Sequence, residues 1–270
     1  MKSIHKWYIL ILFIYFVSAA CEKSTSYSIM AEEQGKLVAQ AIITDENRFQ
    51  EIQLSRSFQS LNESPEPITN ARVTVMSDLQ QFNFVNYNLN PGTYKSEIPF
   101  AAVPQTNYRL IIELDGENYE ANSTLSTVAP IPEIQFKKVA DSFELGESIV
   151  PLFSNSQQAL YQFDLDWSHI FDQGLNNARI FYYTFSTVHI SEFVRPPRQD
   201  ILFPSGTEVI VTKYGLTDDY AEYLRAVAIE TEWNGSIFYG NPANQPSNIS
   251  SGAIGIFATC AIRRDTLVAE

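Results

Sequence analysis

The sequence predicts a mainly β protein: two antiparallel β-sandwich modules, Ig-like or transthyretin-like, with one amphipathic helix in the C-terminal module. Three observations predict it. Short apolar segments with period-two alternation recur along the chain, turn-forming residues separate them at short intervals, and only one stretch, about 218–234, shows helical spacing.

The first module is read at 36–129. Leu37 to Ile43 is an apolar run. Ile52 and Leu54 alternate with Gln53 and Ser55, and Val73 and Val75 alternate with Arg72, Thr74 and Met76. Asn90-Pro91-Gly92 separates a strand near Phe82–Tyr87 from one near Tyr94–Ile98. Tyr108, Leu110, Ile112 and Leu114 share one strand face, and Asp115-Gly116 then turns the chain into Asn118–Leu125. That dipeptide suits a hairpin because both of its residues tolerate positive φ. Ala129-Pro130-Ile131-Pro132 reads as a stiff linker.

The second module is read at 130–270. Tyr161, Phe163, Leu165 and Trp167 alternate with Gln162, Asp164 and Asp166, which describes a strand burying three aromatic rings. Arg179 to Phe185 and Thr207 to Lys213 are further strands. Ser191 to Gly206, with Pro196, Pro197 and Pro204, is loop or sheet edge, since proline cannot donate to a ladder. Thr217 is the expected N-cap, with Asp218 and Asp219 at the positive end of the helix dipole. Tyr220, Tyr223, Leu224 and Val227 follow at helical spacing, and Asn234-Gly235 supplies the stop. Ala253–Ile262 closes the module as a strand, and Asp265-Thr266-Leu267, similar to a short O-glycosylation signal, is expected in an exposed tail.

Residues 1–20 stand apart. Lys2 and Lys6 precede an apolar run from Trp7 to Val17, followed by Ser18-Ala19-Ala20 and Cys21. The run is shorter than the roughly 20 apolar residues of a membrane span and ends in small residues, as processing signals do. This is read as a lipoprotein signal, with lipidation at Cys21, the first residue of the mature chain. Residues 21–35 form a tether to the first module. An ordinary secretory signal cleaved after Ala20 is the nearest rival, because Ser18 stands where a lipoprotein box usually has Leu.

The chain carries 31 acidic and 18 basic residues. Lys2 and Lys6 leave with the signal, so the mature charge is −15. Such a chain lacks the Lys/Arg clusters that phosphate backbones need, and no nucleic-acid partner is expected. With Cys21 acylated, Cys260 is unpaired. It lies in the apolar stretch Ala253 to Ile262 and is expected to be a buried thiol.

No nucleophile elbow, Gly-rich phosphate loop, zinc spacing or calcium loop is present. His169 and His189 lack a ligating companion at metal-binding spacing. Asp164/Asp166 are expected on an outward strand face, and Asp218/Asp219 at a helix cap. Catalytic residues, metal ligands and cofactors are therefore all read as none. Phe181-Tyr182-Tyr183 and Phe185 place rings on both faces of one strand. One face is expected to feed the core, and the other offers Tyr182 or its neighbours to a ligand or partner.

Taken in order, Leu37-Val38 to Thr44-Asp45, Ile52 to Ser57, Pro67 to Val75, Asn90-Pro91-Gly92-Thr93-Tyr94, Tyr108 to Tyr119, Tyr220 to Leu224, and Pro246 to Phe257 resemble a family of Bacteroidetes outer-membrane lipoproteins. That family is known as a domain of unknown function (family 4249) and is often encoded beside TonB-dependent receptors. The resemblance implies an outer-membrane location, lipid-anchored through Cys21. It further implies a binding or accessory role in TonB-dependent nutrient uptake, with a TonB-dependent outer-membrane receptor as partner, and it supplies no catalytic residues. The alternative is a structural or adhesive envelope module with no small-molecule ligand.

Overall fold

The computed structural model describes residues 35–58, 64–146, 150, 154, 157–170, 176–186, 201–231, 246–250 and 252–270. The chain is mainly β. Strands β1 (Leu37–Thr44), β2 (Glu51–Arg56), β3 (Arg72–Ser77), β4 (Gln81–Asn86), β5 (Thr93–Ser96), β6 (Asn107–Leu114) and β7 (Glu117–Thr124) form the N-terminal half. The rest comprises β8 (Phe136–Val139), β9 (Ser142–Leu145), β10 (Ala159–Asp166), β11 (Asn177–Thr184), β12 (Phe203–Pro204), β13 (Glu208–Gly215), helix α1 (Asp218–Thr231) and β14 (Ile254–Val268).

Eleven strands make one sheet, in the order β11-β10-β13-β14-β1-β2-β5-β4-β3-β6-β7, and β12-β9-β8 make a second. The N-terminal strands follow their alternation. Leu37, Ala39, Ala41 and Ile43 of β1 are buried together with Ile52, Leu54, Val73, Val75, Leu110 and Ile112. The Asn90-Pro91-Gly92 turn is closed by the Thr93 N–H donating to the Asn90 carbonyl at 3.1 Å. Asp115 and Gly116 both have positive φ, 53° and 87°, the type I′ geometry that matches strand twist.

One strand joins the two halves. The first part of β14 pairs in parallel with β1, from Val38–Ile254 to Thr44–Cys260. Its second part pairs antiparallel with β13, from Gly215–Ala261 to Glu208–Val268. Phe257 and Ala261 thus enter the apolar cluster of the N-terminal half, while Leu267 and Ala269 enter that of β9, β10, β11 and β13. Strand β7 leans on β14 through Ser123, whose Oγ accepts from the Thr259 N–H at 2.9 Å. Beside it, the Ser250 N–H donates to the Glu120 carbonyl at 2.8 Å.

The linker at Ala129-Pro130 is held by Lys213. This buried side chain donates from Nζ to the Ala129 carbonyl at 3.1 Å and the Pro130 carbonyl at 3.2 Å. It also lies 5.3 Å from the Tyr161 ring centroid. Removal from water lowers the Lys213 pKa.

One expectation is corrected, and two local features are added to the sequence reading. Asp265-Thr266-Leu267 is not a tail: it lies inside β14, opposite Val209–Val211 of β13. The β8–β9 hairpin has no Asn-Gly or Asp-Gly signal, because Ala140 supplies the positive φ, at 53°. Helix α1 runs from Asp218 to Thr231, and the expected stop at Asn234-Gly235 lies outside the described residues.

Candidate functional site

The four-strand part of the large sheet, β11-β10-β13-β14, has two unlike faces. Tyr161, Phe163, Leu165, Tyr182, Val209 and Val211 point to the face covered by the small sheet and are buried. Phe163 and Tyr182 meet edge to face at 5.3 Å between ring centroids. Tyr182 is therefore a core residue, and of the rings expected on the outward face, Tyr182 or its neighbours, alternation puts Phe181 outward, 41% exposed.

Helix α1 covers one end of the opposite face. Thr217 caps it, with its Oγ1 accepting from the Tyr220 N–H at 3.4 Å. Asp218 accepts from Gln158 Nε2 at 2.6 Å, so the acidic first turn is also tied to the sheet. Beneath the helix, Phe185, Leu216, Ala221 and Cys260 form a buried cluster joined by Tyr183, Tyr214, Tyr220 and Leu224. Tyr183 and Phe185 stack at 5.7 Å, and the Arg225 guanidinium lies 4.4 Å from the Phe185 ring centroid.

Burial decides the chemistry of this cluster. It raises the phenol pKa of Tyr214, Tyr220 and Tyr223. The Cys260 thiol, bonded to the Gly215 carbonyl at 3.1 Å, is pushed up to about 12 by burial, and Asp45 adds to the shift. A thiol held neutral is a poor nucleophile, so the cluster is a packing nucleus.

Beyond the helix the same face carries a row of linked polar groups. Tyr214 donates to Gln162 Oε1 at 3.4 Å, Gln162 Nε2 donates to Asp164 Oδ2 at 2.6 Å, and Arg179 pairs with Asp164. Phe181 and Ile210 flank the row, both partly exposed. Apolar area beside fixed donors and acceptors on rigid strands is what a binding surface requires.

The remaining expected residues are scattered. Asp166 accepts from the Ser168 N–H at 2.8 Å, and that bond lowers its pKa. His169 Nε2 lies 3.0 Å from the Gly206 carbonyl. Cys21 and His189 lie outside the described residues, as does most of Ser191–Gly206. Among the described residues no group of three or more His, Cys, Asp or Glu is placed to hold a metal ion. No helix among them is long and apolar enough to cross a membrane.

The family model described as a domain of unknown function, DUF4249, matches residues 22–266. The chain belongs to this family. No curated protein matches it. Two residues of this DUF4249 chain acquire a role that the sequence did not signal. Asn248 lies in the stretch Pro246 to Phe257. Its amide pairs both backbone groups of Phe257, with Nδ2 donating to the carbonyl at 2.8 Å and Oδ1 accepting from the N–H at 2.9 Å. Gln50, buried at 1% exposure, donates to the Thr44, Glu46 and Phe100 carbonyls and accepts from the Thr44 N–H. Thr44 and Glu46 lie within six residues of Gln50, but the partner that closes the network, Phe100, is 50 residues away and gives no local sign.

Proposed function

We propose that this DUF4249 chain is a lipid-anchored outer-membrane protein that works by binding, as an accessory to TonB-dependent nutrient uptake. The observation that carries the reading is the order of residues 2–21: basic residues, a short apolar run, small residues, then cysteine. The family match supports it by opening at Glu22, directly after Cys21. The exposed face bearing Phe181, Ile210 and the Gln162–Asp164–Arg179 row supports the binding part.

The two-module sandwich architecture belongs to the same proposal. Separate apolar clusters on either side of residues 129–131 support it: one holds Val128, while Ile131 packs on the other. In this reading Cys21 carries the attachment and the folded modules carry recognition.

Radiolabelled palmitate fed to producing cells, followed by membrane fractionation, tests the anchor. The wild-type chain takes up label and sediments with outer membranes, and Cys21→Ser does neither. A Cys21→Ser chain that stays membrane-bound refutes anchoring at this residue. Affinity purification from detergent-solubilised outer membrane tests the uptake role. The expected co-purifying species is a TonB-dependent receptor, and its absence in wild-type cells removes that part of the proposal.

A further inference from the structure

The N-terminal half has two ends, and its strands show which one the tether enters. Strand β1 starts at Leu37 opposite Arg56, the last residue of β2. Arg56 Nη1 donates to the Gly35 carbonyl at 3.1 Å and Nη2 bonds Asp115 at 2.7 Å, so the β6–β7 turn lies at the same end. The β4–β5 turn lies there as well, because the Leu54 N–H donates to the Gly92 carbonyl at 2.8 Å. Strand β14 runs parallel to β1 from this end toward the other and only then enters the C-terminal half. The tether end is thus the pole away from the C-terminal half.

This pole displays large apolar side chains. Leu89, in the β4–β5 turn, is 82% exposed and Phe58 follows β2 at 45%; Tyr87, at 37%, carries the Lys95 ammonium 4.1 Å from its ring centroid. Exposure alone does not select the pole: Leu79, in the β3–β4 turn at the opposite end of β4, is 92% exposed. The attachment point and the topology do: the tether joins β1 at this end, and it is from the opposite end of β1 that β14 passes into the C-terminal half.

Resting on the anchor at Cys21, we infer that the pole bearing Phe58 and Leu89 is a lipid-contacting surface, and that the C-terminal half projects away from the bilayer. The contact is apolar. Arg56 is paired with Asp115 and Arg72 with Glu113, and Glu66, whose carbonyl accepts from the Arg56 N–H, is exposed at this end. Among the described residues, acidic groups thus offset the basic ones here, and the pole has no cationic patch for anionic headgroups. Leu89 and Phe58 enter the headgroup–acyl boundary, where apolar side chains lose contact with water while neighbouring polar groups keep theirs.

The test uses the mature chain from Glu22 with a hexahistidine in place of acylated Cys21, bound to vesicles of phosphatidylethanolamine, phosphatidylglycerol and a nickel-chelating lipid. An environment-sensitive fluorophore is placed at Leu89→Cys or Phe58→Cys, and for the opposite pole at Leu79→Cys or Val103→Cys. Buried Cys260 does not compete for label. With nitroxide-labelled lipids, probes at 89 and 58 should be quenched several-fold more than probes at 79 and 103. Equal quenching at both poles, or none at 89 and 58, overturns the inference. A blue shift at 89 without lipid quenching also overturns it, because protein rather than lipid then covers the pole. Palmitate labelling of Cys21 is read separately, so loss of the anchor and loss of the orientation are distinguishable.

Discussion

Gly255→Ala strikes the β1-paired part of β14, the strand that joins both halves of the sheet. Gly255 lies in β14 opposite Ala39 of β1, at φ 121°, a conformation that L side chains rarely adopt. A Cβ there would collide with the Ala39 carbonyl oxygen and lie 2.9 Å from its carbonyl carbon and 3.1 Å from its nitrogen. Ordinary carbon contacts are about 3.5–4.0 Å, so the strands must separate or β14 must rotate. Backbone strain at such a φ costs about 1–3 kcal/mol. Each ladder hydrogen bond weakened along the β1–β14 seam costs about 0.5–1.5 kcal/mol more. With two or three affected, the expected loss is about 2–7 kcal/mol, a large part of a domain's usual stability of about 5–15 kcal/mol. Gly116→Ala separates the two terms. Its φ is 87° and nothing lies within 4 Å of an added Cβ, so only the backbone term of about 1–2 kcal/mol applies. Urea unfolding followed by circular dichroism measures both variants. If they lose the same stability within about 0.5 kcal/mol, the close approach at Ala39 is refuted.

Other perturbations probe separate links. Gln50→Leu strands the buried Thr44 N–H and removes one acceptor bond each from the Thr44 and Phe100 carbonyls, which keep backbone donors in Ala102 and Arg48. The expected loss is about 2–4 kcal/mol in the urea midpoint analysis, and a loss below about 1 kcal/mol contradicts the network. Asn248→Ala should raise the hydrogen-exchange rate of the Phe257 amide without unfolding the N-terminal half, and unchanged protection refutes the role given to the amide. Alkaline stability follows from burial. Cys260 holds its proton to about 12 against an ordinary 9.0, and Tyr161 to about 12 against 10.0. Above pH 9 the unfolded chain loses these protons while the native chain keeps them. Their stabilisation is therefore complete below pH 9 and is lost as pH rises toward 12. Lys213, with its pKa lowered, acts in the opposite sense below 10.5 and softens the fall. A urea midpoint that stays flat or rises from pH 9 to 11 contradicts the burial of these groups.

Much of this fold is local physics and was legible in the residues. The alternation of Tyr108, Leu110, Ile112 and Leu114 puts one side of β6 in the core, since side chains on a strand project with period two. Asp115-Gly116 turns because both residues accept positive φ, and Thr217-Asp218-Asp219 opens α1 because the Thr217 hydroxyl accepts a first-turn N–H and the carboxylates sit at the positive end of the helix dipole. The candidate face was half legible. Aromatic rings on both sides of β11 were expected, but it took the small sheet to decide that Tyr182 is inside and Phe181 outside. Residues Cys21 and His189 rest on the sequence alone.

By itself the sequence determined a mainly β chain, its turns, its single described helix and the order of residues that marks Cys21 for attachment. Only the tertiary structure decided that β14 continues past Ile262 through Asp265-Thr266-Leu267. It alone decided that this strand pairs with β1 and then β13, and that Gln50, Lys213 and Asn248 are structural fasteners. The physical reason is range. Turns, caps and alternation depend on neighbours a few residues away. A parallel pairing between Val38 and Ile254, or an amide buried against Phe100, depends on which distant backbone groups remain unpaired once the strands have assembled.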